Sequence, residues 1–268
     1  MSKVVKRRWQ SDIASGLPGK DRASCDGKAY IPDPLVGRPV TLDGDVAADV
    51  ADAERAIAQF DTRAMALVDT EALARLLLRA ESVASSRIEG LEIGGRRLLR
   101  AEAARSLGQE SDDVTAIEVL NNIQAMQWAL GVVGEGDDIT VEILLESHRR
   151  LLTATRIEEH SGEVRQEQNW IGGSGDNPCS AAFVPPPHEH VKGLLDDLCA
   201  FSNGDDLPAV VQAALAHAQF GTIHPFLDGN GRIGRVLIHL ILRRRGLTTH
   251  VLPPISLTPA TWSDAYVG

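Results

Sequence analysis

The chain contains 268 residues, of which 43% are hydrophobic, and carries a formal net charge of -10 at pH 7. That length and apolar content suffice for a sizeable core, as one large domain or a core with a smaller flank. The negative charge argues against a nucleic acid partner, because phosphate backbones attract a basic surface. No apolar run is long enough to cross a bilayer, so no membrane partner is expected.

The cysteines bear on the compartment in which the protein works. Cys25, Cys179 and Cys199 are odd in number and lack the spacing of metal ligands. This usage favours a reducing, cytoplasmic setting. The basic N-terminus is not followed by an apolar segment, so a secretory signal is not expected.

Helical patterns dominate the chain after an irregular start. Residues 1–45 are rich in Gly, Pro and Asp and predict an extended arm. Beyond them, apolar residues recur at helical spacing in the segments 73–84, 119–130, 141–152, 191–198, 209–223 and 236–244. The sequence therefore predicts a mainly α fold. Residues 258–268 are expected to begin a C-terminal helix that the end of the chain truncates.

One segment departs from the helical pattern. Between residues 164 and 187, two short β-prone pieces flank a turn that contains Gly, Asp, Asn and Pro. This arrangement is typical of a β-hairpin. We expect Ile171 and Gly172 on one side of the hairpin, and Ala182 and Phe183 on the other.

The stretch from His224 to Arg235, HPFLDGNGRIGR, places a base, a carboxylate, glycines and two arginines in one helix–turn–helix connection. Backbone N–H groups at a glycine-rich helix N-terminus bind phosphate oxygens, and the Asn230 amide can donate to the same oxygens. Arg232 and Arg235 lie about one helical turn apart, so both can reach one anionic ligand. Asp228 can hold a divalent cation, and a neutral His224 can accept a proton from a hydroxyl.

Three other motifs share part of this stretch. Residues 229–234 match the dinucleotide pattern G-x-G-x-x-G, but a helix precedes them and no acidic residue follows at the required distance. Arg232 and His239 stand where a calcium loop needs ligands. The Gly-Lys-Ser/Thr end of a Walker loop is missing from the sequence. A triphosphate site beside a general base remains the preferred interpretation.

The stretch resembles the signature of the Fic family, H-x-F-x-D/E-G-N-G-R-x-x-R, and fills every specified position. Similarity extends to the family's flap and N-terminal region at residues 168–172, 183–186, 30–35 and 73–93. The resemblance implies a Fic-type helical bundle around a central helix–loop–helix motif, with a small β-hairpin flap. It divides the chain into an N-terminal Fic-associated helical region, 46–110, and a Fic core, 111–257.

Fic proteins mostly transfer AMP from ATP to a Ser, Thr or Tyr hydroxyl of a protein, and the resemblance implies that chemistry here. It makes His224 the general base, Asp228 the Mg²⁺ ligand and Phe226 the side chain that packs inward and fixes the loop. The implied ATP- and phosphate-binding residues are Gly229, Asn230, Gly231, Arg232, Gly234 and Arg235. The reaction is an in-line displacement at the alpha phosphorus, with pyrophosphate as the leaving group.

A second motif precedes the signature. Residues 85–90, SSRIEG, resemble the family's inhibitory pattern S/T-x-x-x-E-G/N. Ser85 and Glu89 share one face of a helix, and Gly90 is expected to end that helix. The resemblance implies that Glu89 pairs with Arg235 and misplaces the ATP gamma phosphate, so that the enzyme is autoinhibited.

The expected partners are ATP, with Mg²⁺ as cofactor, and an unidentified protein target, which includes the chain itself. The target is expected to add a strand to the flap at Ile171, Gly172, Ala182 and Phe183. Three alternatives stay open for the activity. The first is removal of AMP from a modified protein, with Glu89 orienting water, and the second is transfer from another donor, such as a different nucleotide or a phosphocholine carrier. The third is a catalytically silent nucleotide-binding or interaction module. For the assembly, a homodimer stays open.

Overall fold

The computed structural model describes residues 2–9, 24–66, 69–109, 111–173 and 177–261. The helices in these ranges are α1 (Gly44–Met65), α2 (Thr70–Ile88), α3 (Gly95–Ser106), α4 (Val114–Val132), α5 (Val141–Leu152), α6 (His188–Ser202), α7 (Ala209–Ile223), α8 (Asn230–Arg244) and α9 (Leu257–Thr261). The mainly α fold is therefore confirmed, with all six predicted helical segments present. The expected C-terminal helix begins as α9, and its residues 262–268 lie outside the described ranges.

Local sequence signals set the ends of the helices that carry the site. Asp69 and Asp113 each accept a hydrogen bond from the backbone N–H three residues on, at 2.8 and 3.2 Å, before α2 and α4. Such caps satisfy donors that a helix N-terminus leaves unpaired. At the other end of α2, Gly90 adopts a φ of +79°, which favours glycine and stops the helix. Glu89 is thereby presented at the C-terminal end of α2.

The core lies around the consecutive helices α7 and α8. Phe220 and Ile223 of α7, and Ile233 and Leu237 of α8, are fully buried. Helices α4, α5 and α6 contribute to the same apolar cluster, and α3 packs on α4 in a second, smaller one. Residues 224–229, which join α7 to α8, therefore rest on the most buried helices of the chain.

The N-terminal region differs from the extended arm that its composition predicts. Strands β1 (Lys3–Trp9) and β2 (Cys25–Ile31) pair antiparallel, with Lys3 opposite Ile31. The backbone N–H of Tyr30 also donates to the Val184 carbonyl at 3.0 Å, so β2 lies beside the predicted hairpin segment. The two strands pair across residues 10–24, and the residue periodicity within either segment does not reveal such pairing.

The cysteines also differ from expectation. Cys25 in β2 and Cys179 in the 3-10 turn Pro178–Ser180 form a disulfide, with their Cα atoms 5.7 Å apart. Cys199 is buried and unbridged. Two of the three cysteines are therefore bridged, and the cysteine count no longer supports the expectation of a reducing, cytoplasmic setting. Within the described ranges, no helix combines the length and apolar character needed to cross a membrane.

Candidate active site

The backbone at the end of α7 takes an unusual turn. His224 follows the helix with φ 49° and ψ 61°, in the left-handed region that residues with a Cβ seldom adopt. Neighbouring side chains hold this conformation. The Arg165 Nε donates to the His224 carbonyl at 2.8 Å, and the Asn169 Nδ2 donates to the carbonyls of His224 and Phe226 at 3.1 and 3.0 Å. The surrounding contacts thus fix the conformation that presents the histidine.

Arg165 supports the loop in a way that the sequence analysis did not predict. Its side chain is only 3% exposed, and it also donates to the carbonyls of Glu167, Pro186 and Ile223 at 2.7, 2.6 and 3.3 Å. Burial lowers the pKa of Arg165 to about 10, so the guanidinium is still charged at pH 7. No motif marks this arginine, because its acceptors come from backbone groups of three separate segments.

The His224 imidazole is oriented as a base. Its Nδ1 lies 3.3 Å from the Gly221 carbonyl, which only accepts, so Nδ1 carries the hydrogen and Nε2 keeps a free lone pair. Burial lowers the pKa of His224 below the ordinary value of 6.5; the Gly221 carbonyl opposes this shift, and the nearby Arg165 charge adds to it. The ring is therefore neutral at pH 7 and can accept a proton.

Phe226 and Asn230 brace the loop from inside. Phe226 is fully buried and stacks on the His148 ring, with centroids 3.8 Å apart, so it packs inward as the resemblance implies. The Asn230 Oδ1 accepts from the Phe226 N–H and its Nδ2 donates to the Phe226 carbonyl, both at 2.9 Å. Both polar atoms of the Asn230 side chain thus stabilise the loop, and donation from its amide to phosphate stays a prediction.

The three glycines between residues 224 and 235 have different surroundings. Gly229 has a φ of +76°, and a Cβ there would lie 2.8 Å from the Leu151 side chain. A Cβ on Gly231 would collide with the Glu89 carboxylate. A Cβ on Gly234 would instead lie 3.0 Å from the His217 ring, which belongs to α7. Gly234 thus allows α8 to pack closely on α7, and its predicted contact with phosphate stays a prediction.

Asp228 and Arg232 fit a metal-bound phosphate group. The Asp228 side chain is 56% exposed, and its Oδ2 lies 3.3 Å from the Arg232 guanidinium. Arg232 is 2% exposed, its Nε forms no hydrogen bond among the described residues, and its Nη1 lies 3.6 Å from Glu118 Oε2, within ion-pair distance. Since those residues contain no cluster of three or more His, Cys, Asp or Glu, Mg²⁺ at Asp228 needs phosphate oxygens and water as its other ligands. The Arg232 guanidinium beside Asp228 supplies a positive charge that suits such an anion.

The predicted contact between α2 and the signature is present. The Arg235 side chain is 4% exposed and lies between Ser85 and Glu89. Its Nε donates to the Ser85 hydroxyl at 2.7 Å, and one terminal nitrogen donates to the Ser85 carbonyl at 2.8 Å and to Glu89 Oε1 at 2.7 Å. Arg235 is therefore occupied by α2 and is not free for a phosphate.

The hairpin segment is shorter than predicted. Ile171 and Phe183 form a single antiparallel bridge, in which the Ile171 N–H donates to the Phe183 carbonyl at 2.9 Å and the Phe183 N–H donates back at 3.2 Å. A Cβ on Gly172 would lie 3.1 Å from the Ala182 methyl group, so these residues also face each other. The four predicted flap residues are thus neighbours, although full strands do not form. Residues 174–176, between the two sides, lie outside the described ranges.

Comparison with known proteins places this site in a family. The Fic/DOC family model matches residues 138–242, and the Fic/DOC family N-terminal model matches residues 47–131. The chain belongs to the Fic/DOC family. The first match covers His224 and the whole signature, and the second covers the helix that carries Glu89.

Two animal Fic proteins are similar to this chain in sequence. The chain is 34% identical over 136 residues to the Caenorhabditis elegans protein named protein adenylyltransferase fic-1, covering 49% of this chain and 24% of that one. It is 34% identical over 139 residues to protein adenylyltransferase Fic of Drosophila yakuba, covering 51% of this chain and 26% of the relative. The chain thus spans about a quarter of the length of these curated relatives.

Solved Fic structures share the fold. A Fic family protein from Desulfovibrio desulfuricans G20 matches with a TM-score of 0.62 and 22% identity, over 85% of this chain and 66% of that one. A segment of Fic-1 from C. elegans matches with a TM-score of 0.59 and 24% identity, over 83% and 65%. At these identities the likeness supports the helical Fic fold alone.

Proposed function

We propose that this Fic protein transfers AMP from ATP to a hydroxyl side chain of a protein, including itself, and that Glu89 holds it in an inhibited state. The observation that carries this proposal is the contact of Arg235 with Ser85 and Glu89, beside a neutral His224. The activity is also the one in the names of the two animal relatives.

The residues of the loop support an in-line transfer. The target hydroxyl attacks the alpha phosphorus, its proton passes to Nε2 of His224, and the bond between the alpha phosphorus and pyrophosphate breaks. The fixed loop aligns the base, which lowers the cost of orienting the reactants. Arg232 and the N–H groups at the start of α8 stabilise the phosphate charge. Mg²⁺, held by Asp228, neutralises charge on the phosphates when it is bound.

Inhibition follows from the position of the Glu89 carboxylate. It lies against Gly231 at the N-terminus of α8 and binds Arg235, so a negative charge occupies the groups that would hold the outer phosphates. ATP that enters this site is repelled from the productive position, although the base remains in place. Displacement of Glu89 frees both Arg235 and the surface of Gly231.

The flap is the proposed docking edge for the target, whose modified residue is a Ser, Thr or Tyr. Ile171 and Phe183 bond to each other through only one bridge, and Ile171 is 37% exposed. A short, partly exposed edge of this kind accepts an extended segment through main-chain hydrogen bonds. The two side chains then clamp that segment beside the loop.

One observation favours a second candidate, the removal of AMP from a modified protein. The Glu89 side chain is 35% exposed although Arg235 binds one of its oxygens. A partly solvated carboxylate in the site is able to orient water for attack on phosphorus. This activity predicts that substitution of Glu89 abolishes AMP release, whereas the leading proposal predicts a gain of transfer.

Intact mass spectrometry tests the proposal. The wild type, Glu89→Gly and Glu89→Gly/His224→Ala proteins are incubated with ATP and Mg²⁺. We expect the single variant to gain AMP, because Arg235 is released, and the double variant to gain none. The matched control is Glu71→Gly, which removes an exposed carboxylate from the first turn of the same helix and should behave as the wild type. A folded Glu89→Gly protein that gains no AMP on itself, and no label on any protein in a lysate, contradicts the proposal.

A further inference from the structure

A row of polar residues on α2 continues beyond the inhibitory motif. Glu81, Ser85 and Glu89 follow at intervals of four and therefore share one face of the helix. Ser85 and Glu89 bind Arg235 of α8, and Glu81 lies against His239, one turn further along α8. The signature and the inhibitory motif account for the first two contacts, whereas neither motif includes the third.

Glu81 is a buried carboxylate with both oxygens in use. It is fully buried, its Oε1 accepts from the Ser256 hydroxyl at 2.6 Å, and its Oε2 accepts from the Ser256 backbone N–H at 2.8 Å. The His239 Nε2 lies 3.1 Å from Oε1, within ion-pair distance, although its angle does not make a hydrogen bond. Three separate parts of the fold therefore meet at one carboxylate: α2, α8 and the turn before α9.

The charge at this position is stable. Burial acts to raise the pKa of the Glu81 carboxyl, but the His239 ring and the two Ser256 donors outweigh it and lower the pKa below its ordinary value. A buried charge whose partners are fixed tolerates little displacement, because movement leaves it unpaired at a high free-energy cost. α2 is therefore restrained both along its axis and in rotation two turns before Glu89.

We propose that Glu81 is a positioning residue of the inhibitory device: it fixes α2 against α8 and the turn before α9, so that Glu89 remains on Arg235. The inference rests on the proposed function, since it concerns the regulation of the same site. Glu81 acts at a distance, through the helix that it shares with Glu89. Loss of its charge lets the end of α2 move and releases Arg235 for part of the time.

The chain offers a matched control for a merely structural role. Asp61 of α1 is also buried, and it accepts from the backbone N–H groups of His250 and Val251, both at 2.8 Å. Both carboxylates thus bind backbone donors of the segment after α8. Asp61 lies on a different helix from Glu89, however, so its loss should lower stability without releasing the inhibitory contact.

The experiment measures self-modification with ATP and Mg²⁺ for Glu81→Gln and Asp61→Asn, each alone and in the Glu89→Gly background. When Glu89 is present, we expect Glu81→Gln to raise the rate at least about threefold. In the Glu89→Gly background, Glu81→Gln should change the rate by less than about twofold, because substitutions of residues that act through one another are not additive. Asp61→Asn should raise it in neither background. Ser256→Ala, which removes only the hydroxyl donor, gives a smaller increase and serves if Glu81→Gln does not fold.

Hydrogen exchange of residues 82–89 provides a readout that does not depend on transfer. We expect faster exchange there in Glu81→Gln than in Asp61→Asn at equal global stability. An unchanged rate in Glu81→Gln while Glu89→Gly transfers AMP overturns this inference alone, and so does an equal increase in both backgrounds. If Glu89→Gly transfers nothing, the proposed function fails, and exchange at residues 82–89 still decides whether Glu81 holds the helix.

Discussion

Two regions that border the signature loop are held by different forces. Where α2 meets α8, the contacts are buried and charged: Arg235 is 4% exposed, and Ser85 and Glu81 are fully buried. The flap itself is closed by one bridge between Ile171 and Phe183, and Ile171 is 37% exposed. The flap segment meets β2 through the hydrogen bond from Tyr30 to Val184, the contact of the Tyr30 and Phe183 rings, and the disulfide. The first region surrounds the proposed phosphate position, and the second borders the proposed target edge.

The difference separates control of ATP, which donates AMP, from access of the protein target, which accepts it. Buried charged contacts have a narrow geometry and fail as a unit when one partner is lost, which suits a device that is either inhibited or released. Backbone hydrogen bonds at an exposed edge place few demands on side chains, which suits a surface that binds extended segments. Substitutions in the two regions should therefore change different measured quantities.

The largest expected effect lies between the two regions, at the base. His224→Ala in the Glu89→Gly background should lower the transfer rate by about 10²–10⁴-fold, because the hydroxyl proton loses its acceptor. Single-turnover kinetics with the purified variants measures the change. ATP affinity, followed by calorimetry, should stay within about threefold, since His224 makes no phosphate contact in this account. Transfer at the parent rate removes His224 from the role of base.

Arg165 should have the next largest effect, on stability. Arg165→Gln leaves several buried carbonyls without donors and should lower the free energy of unfolding by about 3 kcal/mol. Urea denaturation measures the loss. Arg165→Lys should recover part of it, because it restores the charge but not the planar donors. Arg100→Gln, at an exposed position, serves as the control and should change stability by less than about 0.5 kcal/mol. Equal stabilities for the two glutamine variants contradict the role of Arg165.

The protonation of His224 should set the pH dependence of transfer. Since burial lowers the pKa of His224 below 6.5, the neutral ring persists to a lower pH than in an exposed histidine. For Glu89→Gly, kcat/KM should therefore stay level as the pH falls from 8 to about 6.5 and decline only below that value, by about tenfold per pH unit once the ring protonates. ATP binding measured over the same range controls for changes at the phosphates. A decline that begins well above 6.5 contradicts the assignment.

The smallest effect is expected at the disulfide. Loss of the Cys25–Cys179 bond in a double serine variant should raise hydrogen exchange of residues 177–184 several-fold, because β2 then holds this segment through weaker contacts. ATP affinity should not change, since α2 and α8 are not involved. Cys199→Ala removes a cysteine that forms no bridge and should leave exchange in this segment as it is. If the double serine variant changes the ATP affinity but not the hydrogen exchange of residues 177–184, the flap and the contact between α2 and α8 are not independent.

Much of the fold was accessible from the sequence because its signals are local. α7 and α8 follow from continuous apolar patterns, and the end of α2 follows from Gly90, whose positive φ favours glycine. The contact between Glu89 and Arg235 joins residues 146 positions apart, and the resemblance to the Fic family implies it. Spacing alone places Ser85 and Glu89 on one face but does not say what that face meets.

The features that were missed depend on partners from distant segments. Arg165 has no motif of its own, and its importance arises from carbonyls that the folded loop brings around it. The disulfide likewise joins two cysteines 154 positions apart. Asn230 is expected to donate to phosphate because its amide lies at a glycine-rich helix N-terminus. The structure adds a role that the motif does not reveal, since this amide bonds to the backbone of Phe226.

The most direct test of the account compares wild-type and Glu89→Gly protein in two measurements, the rate of self-modification and the affinity for ATP with Mg²⁺. We expect the rate to rise at least roughly tenfold in Glu89→Gly, or about 1.4 kcal/mol in activation free energy. The dissociation constant should change by less than about threefold, because Glu89 misplaces ATP and does not exclude it. An unchanged rate in a folded Glu89→Gly protein would contradict the central claim that the contact between Glu89 and Arg235 inhibits the enzyme.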